Sequence, residues 1–205
     1  KKLTCILLLI TILQSCAVYK GYYDVGLQNV ERPENVQERY GKSQIAHFEE
    51  DGETKYHYED ELLEIIWIPT SSSFSFVLQN KTDHSIKIIW DEAVYVNEDG
   101  LSMRVMHSGV KYIDRNNPQP PTTVVRNAKI EDLIMPTENV YYASGKYGGW
   151  RTNPLFPRSA MSQEELNSLT SRYIGKEVQI LLPLEIQGHV NEYLFSFRIN
   201  GFEKM

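Results

Sequence analysis

Histidine and cysteine are the side chains that most often bind metals or act as nucleophiles, so their spacing indicates what chemistry a chain can do. The two cysteines, Cys5 and Cys16, both lie near the start of the sequence. The five histidines are His47, His57, His84, His107 and His189. No two are separated by two to four residues, and no HExxH or CxxC motif is present. HYED brings His57 near Glu59 and Asp60, which is typical of a polar strand edge. The sequence therefore predicts no metal site and no cofactor.

Motifs for nucleophilic or acid–base catalysis are also missing. The sequence has no GxSxG elbow and no GxxxxGKS/T or GxGxxG phosphate loop. Asp91 and Glu92 are adjacent, but neighbouring residues of a strand point to opposite faces. Ser108 and Lys111 are close in sequence, but a serine–lysine pair needs a buried lysine. The chain is therefore predicted not to be an enzyme. A hydrolase with two distant carboxylates is the least favoured alternative.

Side chains suited to binding are concentrated in YYASGKYGGWRTNPLF. Aromatic and arginine residues on the loops of a rigid scaffold contribute much of the energy of sugar and protein binding. The candidate binding residues are Tyr142, Tyr147, Trp150, Arg151 and Phe156. In the alternative, Trp150 and Phe156 fold back and cover one open end of the domain. A second segment, KYIDRNNPQPP with Arg115, either packs on the sheet or presents a stiff recognition edge.

The first sixteen residues contain the parts of a secretory signal in order. Lys1 and Lys2 are positive, Leu3 to Leu13 is apolar, and LQSC ends at Cys16. An apolar run of about eleven residues has the length of a signal's hydrophobic region, whereas spanning a bilayer takes about 20. The stretch resembles the bacterial lipoprotein signal with its lipobox.

This resemblance implies cleavage before Cys16, diacylglycerol on the Cys16 thiol and an acyl chain such as palmitate on the new amine. These lipids would hold the protein on a membrane. The alternative is an ordinary apolar helix with Cys16 as a buried thiol. Residues 1–15 are thus expected to be a signal peptide, and losing Lys1 and Lys2 changes the formal charge from −6 to −8. Repulsion from anionic headgroups would then hold the domain away from the bilayer.

The segment after the signal is polar. Residues 16–41 are expected to be the lipidated N-terminus and a flexible tether, because this stretch has no sustained period of 2 or 3.6. Tyr19, Tyr22 and Tyr23 follow Cys16 closely, which favours either contact with the membrane interface or a docking peptide. Residues 42–205 are expected to form one domain.

Short strands separated by turns are predicted throughout this domain. In SFSFVLQN, Phe74, Phe76 and Leu78 alternate with other residues, as in a half-buried strand. The same alternation places four side chains of the last strand on one face: Tyr193, Phe195, Phe197 and Ile199. SQEELNSLTSRYIG predicts a helix, because Ser162 and Glu165 have capping-box spacing.

These elements predict a mainly β protein. The fold class is an antiparallel β-sandwich, loosely immunoglobulin-like, with one short helix near 163–173. A partly closed barrel is the alternative.

Net charge and overall resemblance limit the possible functions. The net charge of −6 disfavours nucleic acid as a partner. The chain resembles lipoproteins of Bacteroidota-type envelopes, which implies an outer-membrane location. Surface export in that group is associated with acidic residues just after the lipidated cysteine, whereas Ala17-Val18-Tyr19-Lys20 stands here. A periplasm-facing accessory or scaffold subunit with an envelope protein partner is therefore expected. The alternative is a carbohydrate or peptidoglycan-binding module that uses residues 141–156.

Overall fold

The computed structural model describes residues 18–32 and 41–205. The predicted signal peptide and Cys16 lie outside the described residues, and their roles stay predictions. The described residues form fifteen strands and one α-helix, α1 (Gln163–Thr170). The strands are β1 (Tyr19–Glu31), β2 (Gln44–Glu50), β3 (Glu53–Glu59), β4 (Leu63–Pro69), β5 (Phe74–Asn80), β6 (Ile86–Ile88), β7 (Val94–Val96), β8 (Ser102–Met106), β9 (Thr122–Val124), β10 (Lys129–Pro136), β11 (Val140–Ala143), β12 (Gly149–Thr152), β13 (Ser159–Ala160), β14 (Glu177–Ile186) and β15 (His189–Lys204).

One large antiparallel sheet contains thirteen of these strands. Its order is β13-β1-β15-β14-β7-β8-β10-β5-β4-β3-β2, and β6 joins it by pairing with β14 and β9. The sheet curls, so that Trp67 of β4 packs on β15 with its ring centroid 5.0 Å from Phe195 and 5.6 Å from Phe197. The prediction of a mainly β, antiparallel fold with one helix is confirmed. The curled sheet is consistent with a sandwich or barrel, while the immunoglobulin-like detail stays a prediction.

The core is built from the strand faces that the alternation predicted. Phe74, Phe76 and Leu78 of β5 are buried, with intermediate residues between them. The four predicted side chains of β15 are buried as well: Tyr193, Phe195, Phe197 and Ile199. Aromatic rings therefore fill the space between the two halves of the curled sheet.

The helix begins where the capping box predicts. Ser162 Oγ accepts a hydrogen bond from the Glu165 N–H (3.1 Å), and Glu165 Oε2 accepts one from the Met161 N–H (3.1 Å). The helix ends at Thr170, three residues before the predicted end, and a turn leads to Gly175.

The flexible tether predicted for residues 16–41 is wrong for Tyr19–Glu31, which forms β1. This strand pairs with β15 along its length and buries Val25 and Leu27. The sequence of β1 lacks a sustained period of 2 because the register shifts between Asp24 and Val25 and again between Leu27 and Asn29. Each such irregularity resets the alternation of side chains.

Buried tyrosines give a testable dependence of stability on pH. Burial, with the nearby Asp24 carboxylate, raises the pKa of Tyr56 to about 12. Burial likewise raises the pKa of Tyr58 and of Tyr95. A raised tyrosine pKa contributes stability below the unfolded value near 10, and this contribution is lost as pH rises through the folded value.

We therefore expect the free energy of unfolding to fall as the pH is raised above about 10. Denaturant titrations across that range measure it, and the absorbance of tyrosinate follows ionisation. Some of the thirteen tyrosines should ionise only as the protein unfolds. Full ionisation at an unchanged free energy of unfolding would contradict the prediction.

Candidate functional site

The predicted binding segment folds as a hairpin, whereas a loop was expected. β11 and β12 pair with Tyr142 opposite Trp150. The turn between them is tight, because a Cβ on Gly148 would lie 2.7 Å from the Ala143 carbonyl oxygen. Glycine therefore permits the close approach at this position. Residues 140–152 form what we call the aromatic hairpin.

The base of the aromatic hairpin is fixed to the rest of the protein. Val140 is buried in a small apolar cluster with Met106 and Met135. The Asn153 N–H donates a hydrogen bond to the Asn139 carbonyl (2.8 Å). The apolar base thus holds the hairpin in place and leaves its tip in solvent.

Trp150 lies at the centre of an aromatic and cationic cluster. It is 36% exposed. Its ring is inclined by 73° to that of Tyr142 and by 62° to that of Tyr112. The Arg115 guanidinium carbon is 5.1 Å from the indole centroid, and Arg115 Nη1 donates to the Tyr112 carbonyl (3.1 Å). One face of the indole is therefore occupied by a cation–π contact.

Tyr147 forms the exposed tip of the hairpin. It is 79% exposed, and Lys146 Nζ lies 5.5 Å from its ring centroid. Arg151 Nη2 donates to the Tyr147 carbonyl (2.9 Å), which holds this cation beside the tip. Of the five predicted binding residues, Tyr142 and Trp150 thus pack together with Arg115 from the second predicted segment, while Tyr147 and Arg151 meet at the tip of the hairpin.

Phe156 corrects the predicted set. It is 4% exposed and belongs to the main core. Its ring centroid lies 5.3 Å from Tyr23 and 5.9 Å from Tyr173. Phe156 turns inward because Tyr23, on a strand that was expected to be a tether, provides an aromatic surface to pack on. It is not available to a ligand.

A second exposed surface was missed by sequence reasoning. β2 is the end strand of the large sheet and pairs with β3, and all seven of its residues are exposed. Every second residue of an edge strand turns its backbone N–H and C=O away from its neighbour. Ile45 and Phe48 add exposed apolar area. The Asp51-Gly52 dipeptide, which is typical of hairpin turns, is the sequence signal for this hairpin. Both residues have positive φ in the structure, 55° and 78°.

A histidine–carboxylate pair lies between β8 and β10. His107 Nδ1 is 3.1 Å from Asp132 Oδ2, and the Ser108 N–H donates to Asp132 Oδ1 (2.7 Å). The imidazole stacks on Trp90 at 4.2 Å with the rings 1° apart. Ser108 bonds this carboxylate through its backbone, so the arrangement joins two strands and does not form a nucleophile–base pair.

Asp91 and Glu92 lie on a 3-10 turn (Trp90–Glu92) between β6 and β7. Asp91 Oδ1 accepts from Arg104 Nη2 (2.7 Å) and from the Gln119 N–H (3.0 Å). An open depression of about 510 Å³ lies beside it, with Asp91 as the one carboxylate among its lining residues. A hydrolase that works with two carboxylates would need a second one here, and this depression has only Asp91.

Within residues 18–32 and 41–205, no group of three or more His, Cys, Asp or Glu side chains could hold a metal ion. In the same part of the chain, no helix has both the length and the apolar character required to cross a bilayer. Comparisons with protein-family models, curated proteins and solved structures find no match.

Proposed function

We propose that the protein is a lipid-anchored accessory subunit of a bacterial envelope complex, and that it binds a partner protein through the aromatic hairpin. The observation that carries this proposal is the composition of that surface. Exposed aromatic rings lie beside Lys146 and Arg151 on a hairpin outside the large sheet, and Arg115 packs on Trp150 from a neighbouring segment. Tyrosine, tryptophan and arginine are the residues that most often dominate binding energy at protein interfaces.

The geometry favours a protein over a sugar as the partner. Sugar rings stack on flat, open aromatic faces, whereas the rings of Tyr142, Tyr112 and Trp150 are steeply inclined to one another. Arg115 also covers one face of Trp150. Cations held beside aromatic rings suit an acidic protein surface, where they contribute charge complementarity.

The anchor in this proposal is the lipid expected on Cys16. The lipobox-like LQSC supports it, and the absence of acidic residues directly after Cys16 supports a periplasm-facing position on the outer membrane. The net charge of −6 is unfavourable for nucleic acid. A carbohydrate or peptidoglycan-binding role is the second candidate, and the exposed ring of Tyr147 is the feature that favours it.

Combining Tyr147→Ala with Arg151→Ala is expected to weaken partner binding at least about tenfold, because truncating a hot-spot residue typically costs more than 1–2 kcal/mol. The melting temperature should be nearly unchanged, since both side chains lie on the surface. The measurement is crosslinking in intact source cells, purification of the lipidated protein and mass spectrometry of co-purifying proteins, followed by affinity measurement with the identified partner.

Val190→Ala with Arg172→Ala is the matched control, because these residues are exposed on other parts of the chain. Loss of the partner from the hairpin variant alone would support the proposal. A protein that purifies without a stoichiometric partner would contradict it. Binding to a glycan array that requires Tyr147 would select the carbohydrate role instead.

A further inference from the structure

Three segments meet at one end of the large sheet: the start of β1, the end of β13 and the end of β15. The start of β1 follows the predicted lipidation site, Cys16, directly. Tyr19 at the start of β1 pairs with Ala160 at the end of β13. Lys204 at the end of β15 pairs with Gly21 of β1. The Met205 N–H donates to the Lys20 carbonyl (3.0 Å), which brings the last residue of the sequence to the same place.

This end of the sheet exposes apolar side chains. Met161 is 62% exposed and Met205 is 72% exposed, and Val18 and Tyr19 are exposed beside them. We call these four residues the apolar end. Flexible methionine side chains and tyrosine are suited to the boundary between headgroups and acyl chains.

Charged residues surround the apolar end. Lys20 and Lys204 are exposed, and Arg158 is half-buried. The acids Glu203 and Glu165 are also close, and Glu165 Oε2 is bonded to the Met161 N–H (3.1 Å). The cations can contact lipid phosphates, while the apolar side chains provide the contact that does not depend on charge.

The short segment between Cys16 and β1 determines how far the apolar end can lie from the lipid. Two residues, Ala17 and Val18, separate Cys16 from the start of β1 at Tyr19. Three residue steps span at most about 11 Å. If lipid holds Cys16 at a bilayer, as the proposed function requires, the apolar end has to lie at the membrane surface.

We propose that the apolar end is a membrane-contact surface, which seats the domain directly on the lipid headgroups in one orientation. This inference rests on the proposed lipidation of Cys16. It replaces the expectation that a tether and charge repulsion hold the domain away from the bilayer, because β1 leaves no tether between Cys16 and the sheet.

Single-cysteine labelling tests the proposal. The two cysteines are Cys5 and Cys16, so the processed lipoprotein would have no free thiol and Met161→Cys would carry the label alone. Val190→Cys, near the opposite end of β15 from Met205, is the matched control. Each lipidated variant is labelled with the same polarity-sensitive fluorophore and reconstituted into vesicles of phosphatidylethanolamine and phosphatidylglycerol.

A nitroxide lipid is expected to quench the label at position 161 several-fold more than the label at 190, and aqueous iodide should show the reverse order. Equal access of iodide to both labels, with Cys16 lipidated by mass spectrometry, would overturn this proposal and leave the anchor intact. An unmodified Cys16 would overturn both the contact surface and the proposed anchor.

Discussion

Replacing Asp60 by alanine is expected to lower the free energy of unfolding by about 3–5 kcal/mol, the range found when one partner of a buried polar network is removed. The Asp60 side chain is fully buried. Its Oδ2 atom accepts hydrogen bonds from the hydroxyls of Tyr58 (2.9 Å) and Tyr193 (3.1 Å). Its Oδ1 atom accepts from the N–H groups of Leu62 (2.8 Å) and Leu63 (3.0 Å). Alanine would remove the acceptor of all four donors.

Because of its position, the loss of Asp60 is expected to destabilise the whole domain and not one strand alone. Tyr58 is on β3 and Tyr193 is on β15, so the carboxylate connects the two parts of the curled sheet that face each other. Arg32, which follows β1, places its Nη1 atom 3.4 Å from Oδ2. Asp60→Ala would also leave this largely buried guanidinium without its carboxylate partner, and an uncompensated buried charge is costly.

Chemical denaturation of Asp60→Ala and Asp60→Asn measures the prediction. Asparagine keeps one acceptor oxygen in nearly the same shape, so its loss of stability should be smaller than that of alanine. A double-mutant cycle with Tyr193→Phe isolates the hydrogen bond between the two facing parts of the curled sheet, and the two changes should be non-additive. An Asp60→Ala protein as stable as the natural one would show that this network does not hold the facing parts of the sheet together.

Asp60 also shows what the sequence could not predict. HYED predicts a polar strand edge, which is wrong because β3 lies between β2 and β4, where His57 is 3.0 Å from Glu64 and Glu59 pairs with Lys81. Asp60 differs because its burial depends on Tyr193, which is 133 residues away in sequence. No local pattern contains that information.

The sequence predicted those elements whose structure depends only on neighbouring residues. The alternation in β5, the buried face of β15 and the Ser162 cap are each set by residues within a few positions of one another. These signals predicted the mainly β fold and its single described helix. β1 was missed because its two irregularities interrupt the alternation.

The candidate site was predicted in composition but not in arrangement. The cluster of aromatic residues in one segment identified Trp150 and Tyr147. Its pairing as a hairpin, and the placement of Arg115 over Trp150, depend on contacts between separate segments. For Phe156 the sequence left open both exposure to a ligand and folding back, and the contact with Tyr23 of the distant strand β1 decides for packing inside.

The second large effect is expected from Phe197→Ala, which should also lower the free energy of unfolding by about 3–5 kcal/mol. Phe197 has no exposed surface. Its ring centroid is 4.7 Å from that of Phe74 and 5.6 Å from that of Trp67. Alanine would remove these aromatic contacts and leave a cavity between rigid strands, which can close only in part.

Phe48→Ala is the matched control, because Phe48 is also a phenylalanine in a strand but lies exposed on the edge strand β2. Its effect should stay within about 0.5 kcal/mol. Urea unfolding of both variants, with unchanged slopes, gives the comparison. Because Phe197 on β15 contacts Trp67 on β4, a large loss for Phe197→Ala beside a small one for Phe48→Ala would indicate that packing between these strands stabilises the fold. Equal small losses would mean that β15 does not pack against β4 in solution.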